Sequence, residues 1–345
     1  MAPKVFITGI TGYIGGDALY ALHKAHPDWS YTALVRTKDK GAKVQQAYSN
    51  VDIVYGDLDS YDLIKGEASK ADIVIHTADA SDHEPAAKAI AEGLASAHSK
   101  HHPGYWLHVS GTGILCFADA DAGRLGEASD KVYDDLDGVE ELTHLPDHAF
   151  HRNVDKIVLE AGTKNADSVK TAVLCPPTIY GPGRGPVSGR SRQVYELAKI
   201  TLQQKKGPII GAGKTYWDNV HVHDLSDLFV LLAEAAATGH KDDKELWGEK
   251  GYFLVQNGEH VWGEVSKQIT AEAAKEGYIP KNETFSLNKD EAFKLAGFEA
   301  LSWGLNSRGK ARRARKFLGW SPKAPSLEQE LPSIVKSEYE QLQKA

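Results

Sequence analysis

The segment Thr8–Gly16, TGITGYIGG, decides the fold of this chain. It follows a short apolar run, Val5–Thr8, and precedes Asp17–His26, where apolar residues recur at helical spacing. The glycines at its second, fifth and eighth positions permit positive φ and let a phosphate approach the backbone closely. The helix that follows offers free N–H groups and the positive end of its dipole to that anion. A strand, a glycine turn and a helix in this order predict a dinucleotide-binding unit; the alternative is a tight turn without a ligand.

Short β-type runs and helical segments alternate along the first half of the chain. This alternation predicts βαβ units, and therefore an α/β fold with a doubly wound parallel sheet. The predicted strands are Tyr31–Val35, Val51–Tyr55, Ala71–His76, Tyr105–Ser110 and Val169–Cys175; the predicted helices include Glu84–Ser99 and His151–Gly162, the second ending at a glycine cap.

After Pro176 the sequence becomes rich in glycine and proline, which predicts a change of domain. We expect a Rossmann-type nucleotide domain over residues 1–176 plus about 209–256. A smaller, discontinuous C-terminal substrate domain is expected over 177–208 plus 257–345.

The composition excludes several classes of protein. The chain has 345 residues, of which 41% are hydrophobic and 25% charged, so it can bury a large core. Its net charge of −7 disfavours a general nucleic-acid or anionic-membrane binder. No apolar run approaches the ~20 residues that span a bilayer, and Cys116 and Cys175 are expected to be free, buried thiols. We therefore expect a cytoplasmic protein without a nucleic-acid or membrane partner.

Five further motifs follow the glycine turn in a fixed order. They are VYGDL (54–58), HTAD (76–79), LCPPTIYGPG (174–183), NVHVHDL (219–225) and FLGWSP (317–322). Together with the glycine turn, they resemble the extended branch of the short-chain dehydrogenase/reductase superfamily, which includes nucleotide-sugar epimerases, dehydratases and dihydroflavonol-type reductases. The resemblance covers nearly the whole chain, although Cys175 stands where arginine is usual. It implies a doubly wound parallel Rossmann sheet with a small substrate domain.

The resemblance also implies a nicotinamide dinucleotide cofactor. An acid at the end of the second strand would favour NAD(H), but this chain has Arg36 there, which suits the 2′-phosphate of NADP(H). We therefore predict NADP(H), with NAD(H) as the alternative if Arg36 only belongs to a solvated turn. The predicted cofactor-binding residues are Gly9, Thr11, Gly12, Tyr13, Ile14, Gly15, Arg36, Asp57, Leu58, Thr77, Ala78, Lys156, Pro176 and Ile179.

The catalytic pattern of the superfamily is only partly present. Relatives use Tyr-x-x-x-Lys and a serine or threonine, in which the tyrosine exchanges a proton with the substrate. Lys156 matches the family lysine, but Arg152 occupies the tyrosine position and cannot donate a proton near neutral pH. Thr112 is the first choice for the hydroxyl that orients the substrate oxygen, and Ser110 is the second; both hydroxyls could instead serve only the strand end.

A different group must then supply the proton. We rank His151 first, because an imidazole titrates near neutrality and this one adjoins the tyrosine position. His148, Tyr133, Tyr180 and water are the alternatives.

Two other groups of residues could bind a ligand. His221 and His223 are expected to alternate along one strand before Asp224, but no third ligand is evident, so no metal is predicted. Near the predicted substrate domain, the basic residues Arg184, Arg190 and Arg192 could contact phosphate. Aromatic residues there, Trp217, Trp262 and Trp303, could line an apolar pocket or belong to the core.

These features favour an NADP(H)-dependent oxidoreductase that acts on a carbonyl or alcohol of a small organic substrate. A sugar-nucleotide epimerase or dehydratase, and a non-catalytic NADP(H)-binding regulator, are the alternatives. The resemblance further implies a homodimer formed through Glu84–Ser99 and His151–Gly162.

Overall fold

The computed structural model describes residues 2–238, 240 and 243–344. In that part of the chain the strands are β1 (Lys4–Thr8), β2 (Ser30–Val35), β3 (Val51–Tyr55), β4 (Ile73–His76), β5 (Gly104–Val109), β6 (Tyr133–Asp134), β7 (Val169–Cys175), β8 (Thr178–Tyr180), β9 (Gly207–Ile210), β10 (Tyr216–His221), β11 (Tyr252–Leu254), β12 (Gly258–Val261), β13 (Thr284–Leu287) and β14 (Gly309–Lys310). The helices are α1 (Tyr13–Ala25), α2 (Lys38–Ala47), α3 (Tyr61–Lys70), α4 (Glu84–Ala97), α5 (Phe117–Asp121), α6 (Val139–Thr143), α7 (Arg152–Lys164), α8 (Gln193–Gln204), α9 (Val222–Thr238), α10 (Trp262–Lys275), α11 (Lys289–Ala296), α12 (Glu299–Gly304), α13 (Arg313–Leu318) and α14 (Leu327–Lys344).

Seven strands form one parallel sheet in the order β3-β2-β1-β4-β5-β7-β11. Every residue of β4 and β5 is buried, which requires cover on both faces of the sheet. Helix α1 packs against α9, and in a separate group α4 packs against both α3 and α7. The predicted α/β class with a doubly wound parallel Rossmann sheet is confirmed.

The register of the sheet brings four strand ends to one edge. Thr8 lies opposite His76, His76 opposite His108, and His108 opposite Val173. Because all these strands are parallel, the loops that follow β1, β4, β5 and β7 meet at the same edge. The glycine turn is one of these loops.

A second cluster of buried side chains lies outside the large sheet. It is built mainly from α8, α10, α12 and α14, together with Cys116, Ile210 and Trp217. Residues Ala311 and Trp320 instead belong to the cluster around the large sheet. The clusters thus cross the expected domain bounds, which stay a prediction. In the described residues no helix is both long and apolar enough to cross a bilayer.

Helix α7 differs from its predicted form at its C-terminal end. The expected glycine cap at Gly162 is wrong, because the helix continues to Lys164. A β-carbon at Gly162 would lie 2.1 Å from Thr171 Oγ1 on β7. The glycine therefore allows a close approach of the helix to the sheet rather than ending the helix.

An ion pair ties the first helix to the glycine-rich segment 181–189. Asp17, fully buried in α1, accepts hydrogen bonds from Arg184 Nε (3.0 Å), Arg184 Nη2 (2.6 Å) and Ser226 Oγ (2.6 Å). Burial alone would raise the pKa of Asp17, but these bonds outweigh it and hold the pKa below its ordinary value. The Asp17 carboxylate therefore stabilises the fold as an anion.

We expect Asp17→Asn to reduce the free energy of unfolding by about 3 kcal/mol at pH 7, because it leaves Arg184 without its partner. A group with a lowered folded-state pKa stabilises above its unfolded-state pKa and loses that effect as the pH falls through the folded-state value. The difference from wild type should therefore be constant from pH 7 to pH 5 and shrink only below about pH 4. Urea titration measures it, with exposed Asp52→Asn on β3 as the control. Equal losses in both variants would contradict the assignment.

Candidate active site

A cavity of about 580 Å³ opens at the edge of the sheet where the strand ends meet. Its walls come from the glycine turn, the loops after β4, β5 and β7, the start of α7, the segment 188–193 and the region of α12. Ten of the predicted site residues line it: Gly9, Gly12, Tyr13, Ile14, Gly15, Thr77, Thr112, His151, Pro176 and Ile179.

The glycine turn forms one end of the cavity. Gly9 has a φ of +86°, and Thr77 Oγ1 donates a 2.7 Å hydrogen bond to the carbonyl of Thr8. A β-carbon at Gly15 would lie 2.3 Å from Thr77 Oγ1, so the turn closes tightly on the loop after β4. Gly12 is the N-cap residue of α1 and has no side chain to cap the helix. The first N–H groups of α1 are therefore available to an anion. These residues fit a dinucleotide pyrophosphate.

Tyr13 fixes the start of α1 in place and does not serve as a proton donor. Its hydroxyl donates a 2.6 Å hydrogen bond to the carbonyl of Gly181, which fastens the start of α1 to the loop after β8. Burial raises the pKa of Tyr13 well above its usual value. This phenol is therefore unsuited to proton exchange near neutral pH.

His151 stands between the glycine turn and the outer part of the cavity. Its Nδ1 makes a 2.8 Å hydrogen bond with Asp82 Oδ1, and this bond lowers the pKa of Asp82. Its Nε2 lies 3.4 Å and 3.2 Å from the positions that β-carbons on Gly111 and Gly113 would take. Its φ of +67° is uncommon for a residue other than glycine. Such backbone strain is concentrated at functional sites.

The other candidate proton donors lie away from the cavity lining. His148 pairs with Asp121 and is 60% exposed. Tyr133 has its pKa raised to about 12 by burial, and the hydroxyl of Tyr180 donates to the carbonyl of Pro325. Of the four predicted side chains, His151 is the one that reaches the cavity.

The two predicted hydroxyl groups face different surroundings. Thr112 lines the cavity, and its backbone carbonyl accepts a hydrogen bond from Ser307 Oγ. Ser110 is buried beside Asp155; burial raises the pKa of Asp155, and the Ser110 hydroxyl opposes that rise. In the described part of the chain neither hydroxyl makes a hydrogen bond of normal length and angle to another protein group. Only Thr112 of the two lines the cavity, and the role of either hydroxyl stays a prediction.

Six other predicted residues lie outside the cavity lining. Arg36 is exposed directly after β2, at the same edge of the sheet as the glycine turn. Asp57 Oδ1 accepts hydrogen bonds from Ser60 Oγ and the backbone of Asp59, which shapes the loop after β3. The residues outside the lining, besides Ser110, are Thr11, Arg36, Asp57, Leu58, Ala78 and Lys156.

The pair His221 and His223 does not alternate along one strand. Strand β10 ends at His221, and α9 begins at the next residue, so that expectation is wrong. His221 Nδ1 accepts a hydrogen bond from the His223 backbone, and the Asp224 carboxylate accepts from the backbone of Lys323. Within the described residues no three histidine, cysteine or acidic side chains gather in a way that could hold a metal.

Comparison with known proteins was made at three levels. A family model described as NAD(P)H-binding matches residues 9–127, and the NAD dependent epimerase/dehydratase family model matches residues 128–245. Oxidase ucsJ of Acremonium sp is 42% identical over 347 aligned positions, which cover 99% of each chain. The chain belongs to the extended short-chain dehydrogenase/reductase superfamily. An uncharacterized protein of Saccharomyces cerevisiae is 25% identical, over 92% of this chain and 94% of that protein.

Solved structures of the superfamily share the fold. UDP-glucose 4-epimerase of Thermotoga maritima superposes with a TM-score of 0.64 at 16% identity, covering 98% of this chain and 99% of that one. The dTDP-glucose 4,6-dehydratase of Bacillus anthracis gives 0.65 at 16% identity, covering 99% and 98%. The family to which the chain belongs comprises NAD(P)-dependent oxidoreductases, epimerases and dehydratases.

The start of α7 carries the residues that the sequence aligns with the catalytic pattern of the superfamily. Arg152 is buried, and its Nη2 donates to the carbonyl of Thr143 rather than reaching the cavity. Asp155 is fully buried, and burial raises its pKa to about 6 although the hydroxyls of Ser110 and Tyr252 oppose this. Lys156 Nζ pairs with Asp147 at 2.9 Å on the surface. The role of Lys156 stays a prediction.

Sequence reasoning did not single out the groups that hold the residues of α7 in place. Asp82 was not singled out, although it lies 69 residues before His151 and holds it. Asp155 and Tyr252, joined by a 2.9 Å hydrogen bond, were also missed. The sequence shows both acids, Asp82 after β4 and Asp155 on α7. It does not show that Asp82 pairs with His151 or that Asp155 pairs with Tyr252, because these contacts form only in the folded chain.

Proposed function

We propose that the protein is an NADP(H)-dependent oxidoreductase that interconverts a carbonyl and an alcohol on a small organic substrate, with His151 in place of the family tyrosine. The observation that carries this proposal is the hydrogen bond between His151 Nδ1 and Asp82, which turns Nε2 toward Gly111 and Gly113 at the cavity wall. Thr112, between these glycines, is proposed to orient the substrate oxygen.

The bound cofactor supplies a hydride to the carbonyl carbon. His151 donates its Nε2 proton to the carbonyl oxygen, so that the two transfers together convert the carbonyl into an alcohol. The carboxylate of Asp82 accepts the Nδ1 proton in a hydrogen bond and so orients the ring with Nε2 toward Gly111 and Gly113. In the reverse direction the same nitrogen accepts the hydroxyl proton.

The proposal is tested with the full chain and a panel of ketones and aldehydes. Steady consumption of NADPH with formation of one alcohol per NADPH would support it. Tight cofactor binding without turnover of any carbonyl, alcohol or sugar nucleotide would favour the non-catalytic regulator instead.

A sugar-nucleotide epimerase or dehydratase is the second candidate, because the family model over residues 128–245 is that of NAD dependent epimerases and dehydratases. The two functions differ in whether NADPH is consumed, because a reductase uses one NADPH for each alcohol formed and an epimerase or dehydratase regenerates its cofactor. An isomerised or dehydrated sugar nucleotide without net loss of NADPH would identify this second function.

The preference for NADP(H) over NAD(H) rests on Arg36. Its exposed guanidinium follows β2, and no acid precedes Asp39 in this turn. We expect Arg36→Ala to weaken NADPH binding about 10- to 100-fold, since a charged hydrogen bond contributes about 1.5–3 kcal/mol. NADH binding should change less than about threefold. Calorimetric titration of both cofactors measures this, with exposed Lys43→Ala on α2 as the control. Tighter binding of NADH than NADPH by the wild type would contradict the preference.

Three further parts of the proposal concern the setting of the enzyme. Lys156 is proposed to hold the nicotinamide ribose; its pair with Asp147 lies on the surface and is screened by solvent, so it would not prevent this. A homodimer through α4 and α7 is proposed from the resemblance alone. Cys116 and Cys175 are free and buried, as predicted, which supports a reducing, cytoplasmic setting.

A further inference from the structure

The outer part of the cavity has an apolar wall that begins beside His151. We define the apolar wall as Cys116, Phe150, Trp217, Phe298, Leu301 and Leu305, all of which line the cavity. Phe150 directly precedes the proposed proton donor in sequence. A substrate group next to the reacting carbonyl therefore meets hydrocarbon and aromatic surface first.

The aromatic residues of the apolar wall are held in place, with one left open to solvent. Trp217 is buried, and its Nε1 donates a 2.7 Å hydrogen bond to the carbonyl of Leu305, so its polar edge is already used. Phe150 and Phe298 meet edge to face, with ring centroids 5.9 Å apart. Phe298 is 53% exposed at the mouth of the cavity. A flat apolar ligand would cover this ring and remove it from water.

The cations near the cavity are already neutralised. Arg190 donates from Nε and Nη2 to both carboxylate oxygens of the buried Glu338, at 2.8 Å and 2.9 Å. It also pairs with Glu196, and Arg192 pairs with Glu299 at 2.6 Å. A substrate pyrophosphate would have to break these pairs to gain a cation.

Acidic side chains also line the cavity. They are Asp79, Asp82 and Glu299. Arg184, the remaining arginine of this region, holds Asp17 outside the lining. Asp82 is held by His151 and Glu299 by Arg192, so among the described lining residues an anionic substrate would find no arginine that lacks a carboxylate partner.

We propose that the site takes an uncharged carbonyl compound in which the carbonyl adjoins an aromatic or similarly flat apolar group, and that it rejects sugar nucleotides. This inference rests on the proposed function, because the carbonyl is the group that His151 would serve. Arg190 and Arg192 then form structural ion pairs, which hold segment 188–193 against α14 and α12, and do not act as phosphate ligands.

The test uses the full chain with acetophenone, 2-butanone and UDP-glucose as probes. Reduction of acetophenone should exceed that of 2-butanone by at least about 100-fold in kcat/KM, and UDP-glucose should neither react nor inhibit. Phe298→Ala should raise the KM for acetophenone about tenfold with little change in kcat. Phe293→Ala, which removes an equally exposed phenylalanine from α11 outside the cavity lining, should leave both values unchanged.

Binding measured without catalysis separates the two proposals. Saturation-transfer NMR should detect acetophenone on the wild type and a weaker signal on Phe298→Ala. If acetophenone binds in this way but no carbonyl is reduced, the proposed function fails and the substrate class stands. Binding or turnover of UDP-glucose, or equal kcat/KM for the two ketones, would overturn the substrate class.

Discussion

His151→Asn should lower kcat for carbonyl reduction by about 100- to 1,000-fold, the usual contribution of a positioned general acid. Asparagine is chosen because it tolerates the left-handed backbone of this position, where φ is +67°, and because its amide cannot serve as an acid. The proposed cofactor contacts do not include His151, so the affinity for NADPH should stay within about threefold of wild type. Single-turnover kinetics and calorimetric titration measure the two quantities separately.

A matched control is available elsewhere on the surface. His148 makes the same kind of contact, a 2.9 Å bond from Nε2 to Asp121, but lies outside the cavity lining. His148→Asn should therefore leave kcat unchanged. If His151→Asn kept more than a third of the wild-type kcat while folding normally, the proton would have to come from water or from another group.

Asp82→Ala tests the orienting partner rather than the donor. It removes the carboxylate that holds Nδ1, so the ring is free to turn Nε2 away from Gly111 and Gly113. We expect kcat for carbonyl reduction to fall about 10- to 100-fold, because the acid is still present but no longer positioned. An unchanged kcat in single-turnover kinetics would contradict the orienting role of Asp82.

The sheet could be predicted because its signals are local. The bounds predicted for Val51–Tyr55 and Val169–Cys175 are those of β3 and β7, since short β-type runs ended by turn residues are typical of strands. His223 was misplaced for the opposite reason. Residues before and after a strand-to-helix junction can both be apolar, and nothing within NVHVHDL marks His221 as the last residue of β10.

The site could be predicted only where one loop forms it. The conformation of the glycine turn follows from its own residues. The partner of His151, in contrast, lies 69 residues away, on the loop after β4. The order of residues on α7 posed a similar difficulty. Asp155 and Lys156 are consecutive, so they point about 100° apart on the helix, and only packing against Tyr252 decides that Asp155 faces inward. The motif match to Lys156 carries no information on that direction.

Two glycines of the turn should respond to substitution in opposite ways. Gly12 has a φ of −92°, which any residue can adopt, and an added β-carbon would meet the carbonyl of Gly9 at 3.1 Å. Gly12→Ala should therefore fold with nearly wild-type stability. Its methyl group would occupy the space through which a pyrophosphate approaches the N-terminus of α1, so the dissociation constant for NADPH should rise about 100-fold.

Gly15→Ala should instead destabilise the protein. The new β-carbon would lie 2.3 Å from Thr77 Oγ1 and 2.5 Å from the carbonyl of Gly9, and overpacking of this kind costs about 1–3 kcal/mol. Gly66→Ala is the control, because a β-carbon at that position of α3 has no neighbour within 4 Å. Thermal unfolding and NADPH titration on the three variants separate stability from affinity. A loss of stability in Gly12→Ala as large as that in Gly15→Ala would mean that both glycines serve the turn alone, and that the phosphate lies elsewhere.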